Sequence, residues 1–173
     1  MSSGSWRSRR IIYLVEGDTE KKLLEALKTG MRKIYPGRVL KCNVTQEHLT
    51  KGMFMAYGEK VSFALVFDTD VGGAERLAEN LRLIRSLPNY FGVICIPQVV
   101  NLEDELKYAC NMRDICTLTH SRSVSDFKRD FMRLRNVSQT LLLNNFDIKR
   151  MWSRPTTGEY AEIKNEAYKI KKP

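Results

Sequence analysis

The sequence predicts an α/β fold in which a parallel sheet of roughly four strands is flanked by helices and followed by a helical, basic C-terminal extension. Short unbroken apolar runs are typical of strands buried on both faces, and apolar residues recur at helical spacing between these runs. Strands that alternate with helices in this way imply parallel pairing through right-handed crossovers. The 173 residues, 43% of them hydrophobic, suffice for one compact core.

The first unit is a strand, a turn and a helix. Residues 11–15 form an unbroken apolar run, which predicts a buried strand that ends at Glu16. The Gly-Asp-Thr segment at 17–19 then provides a turn and a helix N-cap. We expect the following helix to continue until the Pro-Gly pair at 36–37 stops it. Its apolar positions, spaced as in a helix, are Leu23, Leu24, Leu27, Met31 and Ile34.

Two further strands are predicted in the first half of the chain. Residues 39–44 have weaker strand character, and a short helix is expected over 46–57. Residues 61–67 form a strong apolar run, so the third strand should end at Asp68. A Gly-Gly pair at 72–73 then opens a helix, whose apolar face carries Leu77, Leu81 and Ile84.

The second half begins with a fourth strand, predicted over 91–96 and stopped by Pro97. A helix is expected after Ser123, whose spacing to Asp126 resembles a capping box. The apolar face of this helix carries Phe127, Phe131 and Leu134, and a further helix carries Val137, Leu141, Leu142 and Phe146. One more aromatic residue, Trp152, is expected to pack and so to anchor the extension.

The basic charge is concentrated at the two ends of the chain. The formal net charge is +9, and residues 121–173 hold twelve Lys/Arg against six Asp/Glu. Clusters of Lys/Arg favour nucleic acid because they release its counterions, although a solvated charge run is the alternative. We expect residues 1–9 to be a flexible basic N-terminus, residues 10–118 to be the main domain, and residues 119–173 to be the helical basic extension.

Cysteine spacing and hydropathy exclude several classes of protein. The four cysteines lack the short spacing of zinc sites, so they are expected to be reduced core thiols. No secretory leader and no apolar run of the ~20 residues needed to span a bilayer are seen. We therefore expect a soluble, cytoplasmic protein with no membrane association.

Two of the predicted strands end in acidic residues. Glu16 follows the first strand, and Asp68 and Asp70 follow the third. Ligands of parallel sheets bind at the carboxyl ends of the strands, so these side chains should share one crevice if the two strands are neighbours. Three carboxylates at such short distances, with no cation between them, would repel one another. A hard cation such as Mg²⁺, which prefers oxygen ligands, resolves that repulsion.

Each acidic residue also has a simpler explanation. Glu16 alone can be a loop carboxylate that caps a helix, and the two aspartates can form an ordinary turn and N-cap. Asp68 and Asp70 are two residues apart, however, and so point the same way from an extended strand end. Glu20 lies four residues after Glu16 and can turn toward the same crevice, or it can simply complement the helix dipole.

These residues resemble a known family. The string LVEGDTE at 14–20 and the string FDTD at 67–70 resemble the two acidic motifs of the Toprim domain. That domain occurs in topoisomerases, bacterial primases, small ribosomal-RNA maturation nucleases and the OLD nucleases. The resemblance covers about residues 10–105, by the order and strand context of the motifs, and implies a Rossmann-like Toprim fold with a Toprim-like catalytic domain.

The resemblance implies a role for each acidic residue. Glu16 matches the glutamate that acts as general acid/base or metal ligand, and Asp68 and Asp70 match the metal-binding pair. Glu20 matches the extra glutamate by which OLD-type members help to hold a second metal. Nuclease-type members often carry another acidic residue after the fourth strand; Glu103 is the first choice for it and Glu105 the reserve. The alternative is that Asn101 simply caps a helix with an acidic first turn.

The function implied is that of a metal-dependent nuclease, because the chain shows neither the strand-passage architecture of a topoisomerase nor the zinc module of a primase. One Mg²⁺ or Mn²⁺ would activate water and a second would stabilise the leaving 3′ oxygen of DNA or RNA. A cation near the developing charge would assist, and the candidate is Lys149. Nucleic acid would be bound by Lys128, Arg129, Arg150 and Arg154, although these tail cations can equally be solvated surface charges.

Two alternatives remain open. The segment around Asp68 and Asp70 also resembles the opening motif of haloacid-dehalogenase-type phosphatases, where the first aspartate is a nucleophile, but Glu16 would then have no role. The other alternative is a noncatalytic Toprim scaffold that binds nucleic acid or a partner protein. The OLD-type resemblance also implies an ATPase partner in phage defence, since the sequence shows no P-loop of its own. The sequence leaves the oligomeric state open.

Overall fold

The computed structural model describes residues 10–58 and 60–173, and it confirms the predicted α/β class. Four strands form an all-parallel sheet in the order β2-β1-β3-β4. The strands are Arg10–Val15 (β1), Gly37–Lys41 (β2), Val61–Asp68 (β3) and Tyr90–Gln98 (β4). The predicted N-terminal segment 1–9 lies outside the described residues.

Helices cover both faces of the sheet and fill the C-terminal third of the chain. The α-helices are Asp18–Glu25 (α1), Ala74–Arg85 (α2), Leu102–Ala109 (α3), Cys116–Thr119 (α4), Val124–Arg133 (α5) and Val137–Leu143 (α6). A π-helical segment, Ala26–Gly30, continues α1, and short 3₁₀ turns occupy Lys51–Met53, Met55–Tyr57, Gly158–Tyr160 and Ala167–Lys169. None of the described helices is both long and apolar enough to cross a membrane.

The sheet separates two apolar cores, which explains why its strands read as unbroken apolar runs. On one face, Ile11, Tyr13 and Val15 of β1 pack with α1, α3, α5 and α6. On the other face, Ile12 and Leu14 pack with α2 and with the segment around Tyr160. Alternate residues of one strand therefore enter opposite cores, as the pleat requires. All four cysteines are free thiols.

The C-terminal residues are part of the first core. Phe127 and Phe131 of α5, together with Trp152 and Ile170, are buried in the same cluster as α1 and α3. Tyr160 instead packs on the opposite face, where its ring lies 5.6 Å from that of Phe67. The chain beyond residue 119 therefore covers both faces of the sheet and reaches the edge where the strands end.

Several predicted boundaries were wrong. The helix after β1 ends in its π-helical segment at Gly30 rather than near residue 36, and the predicted helix over 46–57 is replaced by short 3₁₀ turns. Strand β4 continues through Pro97 to Gln98, because an edge strand tolerates the missing N–H group of proline. Ser123 begins α5 as expected, but its hydroxyl bonds Asp126 Oδ2 at 2.9 Å rather than a backbone N–H group.

Candidate active site

The acidic residues lie at the point where the strand order reverses. From β1 the chain goes to β2 on one side and then returns to β3 on the other side, so β1 and β3 are hydrogen-bonded neighbours. Glu16 follows β1 directly, and Asp68 is the last residue of β3. The backbone N–H of Asp68 donates to Glu16 Oε2 at 3.4 Å. Because β1 and β3 are neighbours, these acidic side chains share one crevice, at the place where open α/β sheets bind their ligands.

Asp68 has the most strongly perturbed carboxylate of the group. Its side chain is 7% exposed, and its Oδ1 accepts a hydrogen bond from Gln98 Nε2 at 2.6 Å. Burial first, and then the negative charges of Glu16 and Glu20, raise the pKa of Asp68 to about 8, although the Gln98 bond acts in the opposite direction. A cation bound beside Asp68 would compensate these negative charges, lower the pKa of the carboxyl group and so displace its proton to solvent.

Glu20 is buried although it stands in the first turn of a helix, where a charged side chain is normally solvated. Its residue is 3% exposed, and burial raises the pKa of its carboxyl group, with Glu16 and Glu103 as further causes. Gly17 makes this position possible, because a Cβ at residue 17 would lie only 3.0 Å from Glu20 Oε2. The carboxylate therefore turns back toward Glu16, as the sequence suggested that it can.

The structure separates the two candidate glutamates of α3. Glu103 faces the site: its Oε1 lies 3.7 Å from Lys128 Nζ, and its Oε2 is buried without a hydrogen-bond partner in the described part of the chain. Glu105 is fully buried and belongs to a different network, in which it pairs with Arg154 at 3.0 Å. The predicted cap is also present, since Asn101 accepts a bond from the Asp104 N–H group.

Asp70 lies in the loop after β3 and is the most exposed of these carboxylates. Its Oδ2 accepts a bond from Asn101 Nδ2 at 3.3 Å, so the loop is tied to the start of α3. Its charge contributes to the raised pKa of Asp68. The five residues that the sequence singled out as metal ligands therefore interact as one carboxylate cluster: Glu16, Glu20, Asp68, Asp70 and Glu103.

Lys128, which the sequence suggested as a nucleic-acid contact, is the cation of this cluster. Helix α5 packs against α1 and directs Lys128 toward the carboxylates. Burial acts to lower the pKa of Lys128, but the surrounding negative charges outweigh that effect and raise it. The charges come from Glu103, Glu20, Asp68 and Glu16, in that order. With Glu16, Glu20 and Arg129, this lysine lines a recess of about 490 Å³.

The other tail cations lie elsewhere. Lys149 is exposed in a turn, where its N–H group bonds Asp147, and in the described structure it forms no ion pair with the carboxylate cluster. Arg129 is paired with Asp126 and with Asp130 on its own helix. Arg150 and Arg154 gather around the ring of Tyr108 on α3. Of the predicted cations, Lys128 is thus the one that faces the carboxylate cluster.

The carboxylate oxygens of the cluster are suitable ligands for a hard divalent cation, although the side chains are not arranged as they would be around a bound ion. Within residues 10–58 and 60–173, no three acidic, histidine or cysteine side chains converge closely enough to hold an ion. Carboxylate oxygens are nevertheless the ligands that Mg²⁺ and Mn²⁺ prefer, and water completes the coordination of Mg²⁺ in most sites. The raised pKa of Asp68 and the unpartnered Glu103 oxygen are the observations that favour a cation here.

Comparison with protein-family models, with curated proteins and with solved structures finds no match to this chain. The residue geometry at the carboxyl edge of the sheet is therefore the basis for any functional assignment.

Proposed function

We propose that this protein is a nuclease that uses Mg²⁺ or Mn²⁺ to hydrolyse phosphodiester bonds in DNA or RNA. The observation that carries the proposal is the gathering of five carboxylates and one lysine at the switch point of a parallel sheet. A structural role explains such a cluster poorly, since buried like charges destabilise a fold unless a ligand compensates them.

The carboxylates divide by position into two groups that would hold the metal. Glu16, Asp68 and Asp70 come from the ends of the two central strands, and Glu20 and Glu103 come from the first turns of α1 and α3. When bound, the metal supplies Lewis acidity toward a phosphate oxygen and lowers the pKa of a coordinated water. The protein contributes fixed oxygen donors and the hydrogen bond by which Gln98 orients Asp68.

Two side chains have roles beyond holding a metal. Glu16 is only half-buried, so its carboxylate can orient or deprotonate a water in the recess. Lys128 carries its ammonium group on a 56% exposed side chain beside the carboxylates, where a phosphate would enter. A positive charge there would stabilise the negative charge that develops on the phosphoryl oxygens in the transition state. Lys128 therefore takes the role that the sequence gave to Lys149.

The resemblance to Toprim domains supports the same proposal. The motif at residues 14–20 forms the end of β1 and the start of α1, and the motif at 67–70 forms the end of β3. Both motifs therefore flank one crevice. An ATPase partner and a role in phage defence rest on the resemblance to OLD-type members.

The test is cleavage of labelled single- and double-stranded DNA and RNA with Mg²⁺ or Mn²⁺, by wild type and by Asp68→Asn and Glu16→Gln variants. We expect wild-type cleavage to require the metal and to fall at least about 100-fold in either variant. The matched control is Asp18→Asn, because Asp18 lies in the same turn but is 61% exposed and pairs with Lys41. Its activity should stay within about twofold of wild type.

Two outcomes would contradict the proposal. Equal cleavage by wild type and by Asp68→Asn would assign the activity to a contaminant or to another site. A fluoroberyllate adduct on Asp68, together with undiminished phosphatase activity in Glu16→Gln, would instead identify a phosphatase of the haloacid-dehalogenase type. That mechanism uses an aspartate nucleophile and leaves Glu16 without a role.

A further inference from the structure

A second polar recess lies beside α3, and cations dominate its lining. It has a volume of about 470 Å³, and its lining includes Lys107, Tyr108, Arg113, Arg150 and Arg154. Four of these five side chains are positively charged at neutral pH. Asp104 is the one acidic residue among the described residues of that lining, and the buried Glu105 lies behind it. With four cations and one carboxylate in its lining, this recess is attractive to an anion.

Stacking holds two of the guanidinium groups in place. The guanidinium carbons of Arg150 and Arg154 lie 4.5 Å and 5.0 Å from the centre of the Tyr108 ring. Arg154 is fixed further by Glu105 Oε1 at 3.0 Å and by the Val99 carbonyl at 3.1 Å. An arginine that is already oriented loses less conformational entropy when it binds a ligand. The Tyr108 ring therefore serves as a platform for the cations of the recess.

Two of the cations have no acidic partner in the described structure. Lys107 is paired with Asp104, and Arg154 is paired with Glu105. Arg113 and Arg150 form no ion pair with any residue of 10–58 or 60–173. Guanidinium groups match the oxygens of a phosphate in pairs, so these two arginines are the ones available to an anion.

Helix α3 contributes side chains both to this recess and to the carboxylate cluster, about one helical turn apart. Glu103, in its first turn, faces Lys128 and the carboxylates, whereas Lys107 and Tyr108 line the recess. A buried chain of hydrogen bonds also joins the two places: Arg154 donates to Glu105, which accepts from the Trp152 N–H group. The indole of Trp152 donates to Gln98, and Gln98 donates to Asp68. The position of the recess relative to Asp68 is thereby fixed.

We propose that this recess binds a backbone phosphate of the nucleic acid, about one turn along α3 from the carboxylates at which cleavage would occur. The inference rests on the proposed function for the identity of the ligand. Arg113 and Arg150 contact the phosphate, the Tyr108 ring holds Arg150 in place, and Arg154 adds a second positive charge at the same ring. Trp152 takes no part in base stacking, because it is 1% exposed.

The test measures binding without cleavage. A fluorescein-labelled 15-nucleotide single strand, as DNA and as RNA, is titrated with full-length protein in EDTA, and anisotropy gives Kd at several salt concentrations. Arg113→Gln/Arg150→Gln should weaken Kd about tenfold and should reduce the slope of log Kd against log salt by about 1.4. The matched control is Arg82→Gln/Arg85→Gln, which removes two exposed arginines from α2 on the opposite face of the sheet. It should change Kd by less than about twofold.

The result that would overturn the inference is equal Kd and salt slope for the recess variant and the α2 control, or no binding of either strand by wild type. Thermal melts of each variant would check that it is folded. The single variant Arg113→Gln, at an exposed position, is a milder form of the same test. Failure of the proposed function looks different. In that case wild type binds through the recess but cleaves nothing with any metal, whereas the recess variant alone loses binding.

Discussion

Glu103 and Glu105 stand two residues apart in α3, yet their charges are balanced in different ways. Glu105 is fully buried, and its two oxygens accept bonds from Arg154, from the Val99 N–H group and from the Trp152 N–H group. Glu103 has one buried oxygen without a partner in the described chain, and its other oxygen lies 3.7 Å from Lys128.

The comparison shows how a buried carboxylate can be assigned to stability or to function. A carboxylate whose every oxygen is paired, such as that of Glu105, stabilises the arrangement of its partners. A carboxylate that faces other carboxylates, as Glu103 faces Glu20, raises the energy of the fold until a cation compensates it. Glu105 accordingly joins the C-terminal segment to the sheet, and Glu103 belongs to the candidate active site.

The largest expected effect is the difference in free energy of unfolding between a Glu105 variant and a Glu103 variant. Glu105→Ala leaves Arg154 without its carboxylate and leaves two backbone N–H groups without an acceptor, so it should lower the free energy of unfolding by about 3–5 kcal/mol. Glu103→Gln removes a charge that Glu20 repels and Lys128 attracts, and it should change that free energy by less than about 1 kcal/mol. Urea denaturation at pH 7 in EDTA measures both. Similar losses in the two variants would abolish the distinction.

The pH dependence of stability should reveal the uncompensated cluster. The pKa of Asp68 is raised from 3.8 to about 8, so folding favours its protonated form. The resulting stabilisation is complete below pH 3.8 and is lost as the pH rises toward 8. Asp68→Asn cannot ionise, and it should therefore exceed wild type in free energy of unfolding by a few kcal/mol at pH 9 in EDTA.

The same measurement has an internal control. Asp18→Asn removes an exposed carboxylate from a surface ion pair with Lys41, and its effect should stay below about 1 kcal/mol at every pH. Denaturation curves at pH 5, 7 and 9 would show whether the advantage of Asp68→Asn grows with pH. A constant difference would mean that Asp68 is charged in the folded protein throughout.

Local patterns explain why the strand ends could be predicted. The apolar runs before Glu16 and Asp68 mark buried strands within a few residues, and the parallel connections bring their ends to one edge. The spacing of α3 also indicates which of its glutamates is buried. Leu102, Leu106 and Ala109 repeat at helical spacing on the buried face, and Glu105 shares that face. Its helical phase therefore places Glu105 in the core, and Glu103 outside it.

The position of the cation could not be predicted, because it depends on contacts distant in sequence. Lys128 reaches the carboxylates only because Phe127 and Phe131 pack into the core that α1 shares. Nothing in the spacing of α5 specifies against which helix its apolar face will pack. Lys149 has the same charge and stands in an equally basic segment, so the sequence provides no physical basis for a choice between them.

Removal of the Lys128 charge should give the smallest of the expected effects, and it tests the carboxylate cluster through its affinity for Mg²⁺. Lys128→Met keeps most of the apolar stem and loses the ammonium group, which would compete with Mg²⁺ for the same carboxylates. We expect calorimetric titration to show that Lys128→Met binds Mg²⁺ about fivefold more tightly than wild type, a difference of about 1 kcal/mol. The effect is small because the lysine side chain is 56% exposed, so solvent screens its attraction to the carboxylates.

The matched control is Arg129→Met on the next residue of α5, whose guanidinium is already held by Asp126 and Asp130. Its affinity for Mg²⁺ should stay within about twofold of wild type. Lys128→Met should also cleave more slowly than wild type despite its tighter metal, because the charge that would stabilise the transition state is gone. Weaker Mg²⁺ binding in Lys128→Met would mean instead that the lysine holds Glu20 and Glu103 in position for the metal.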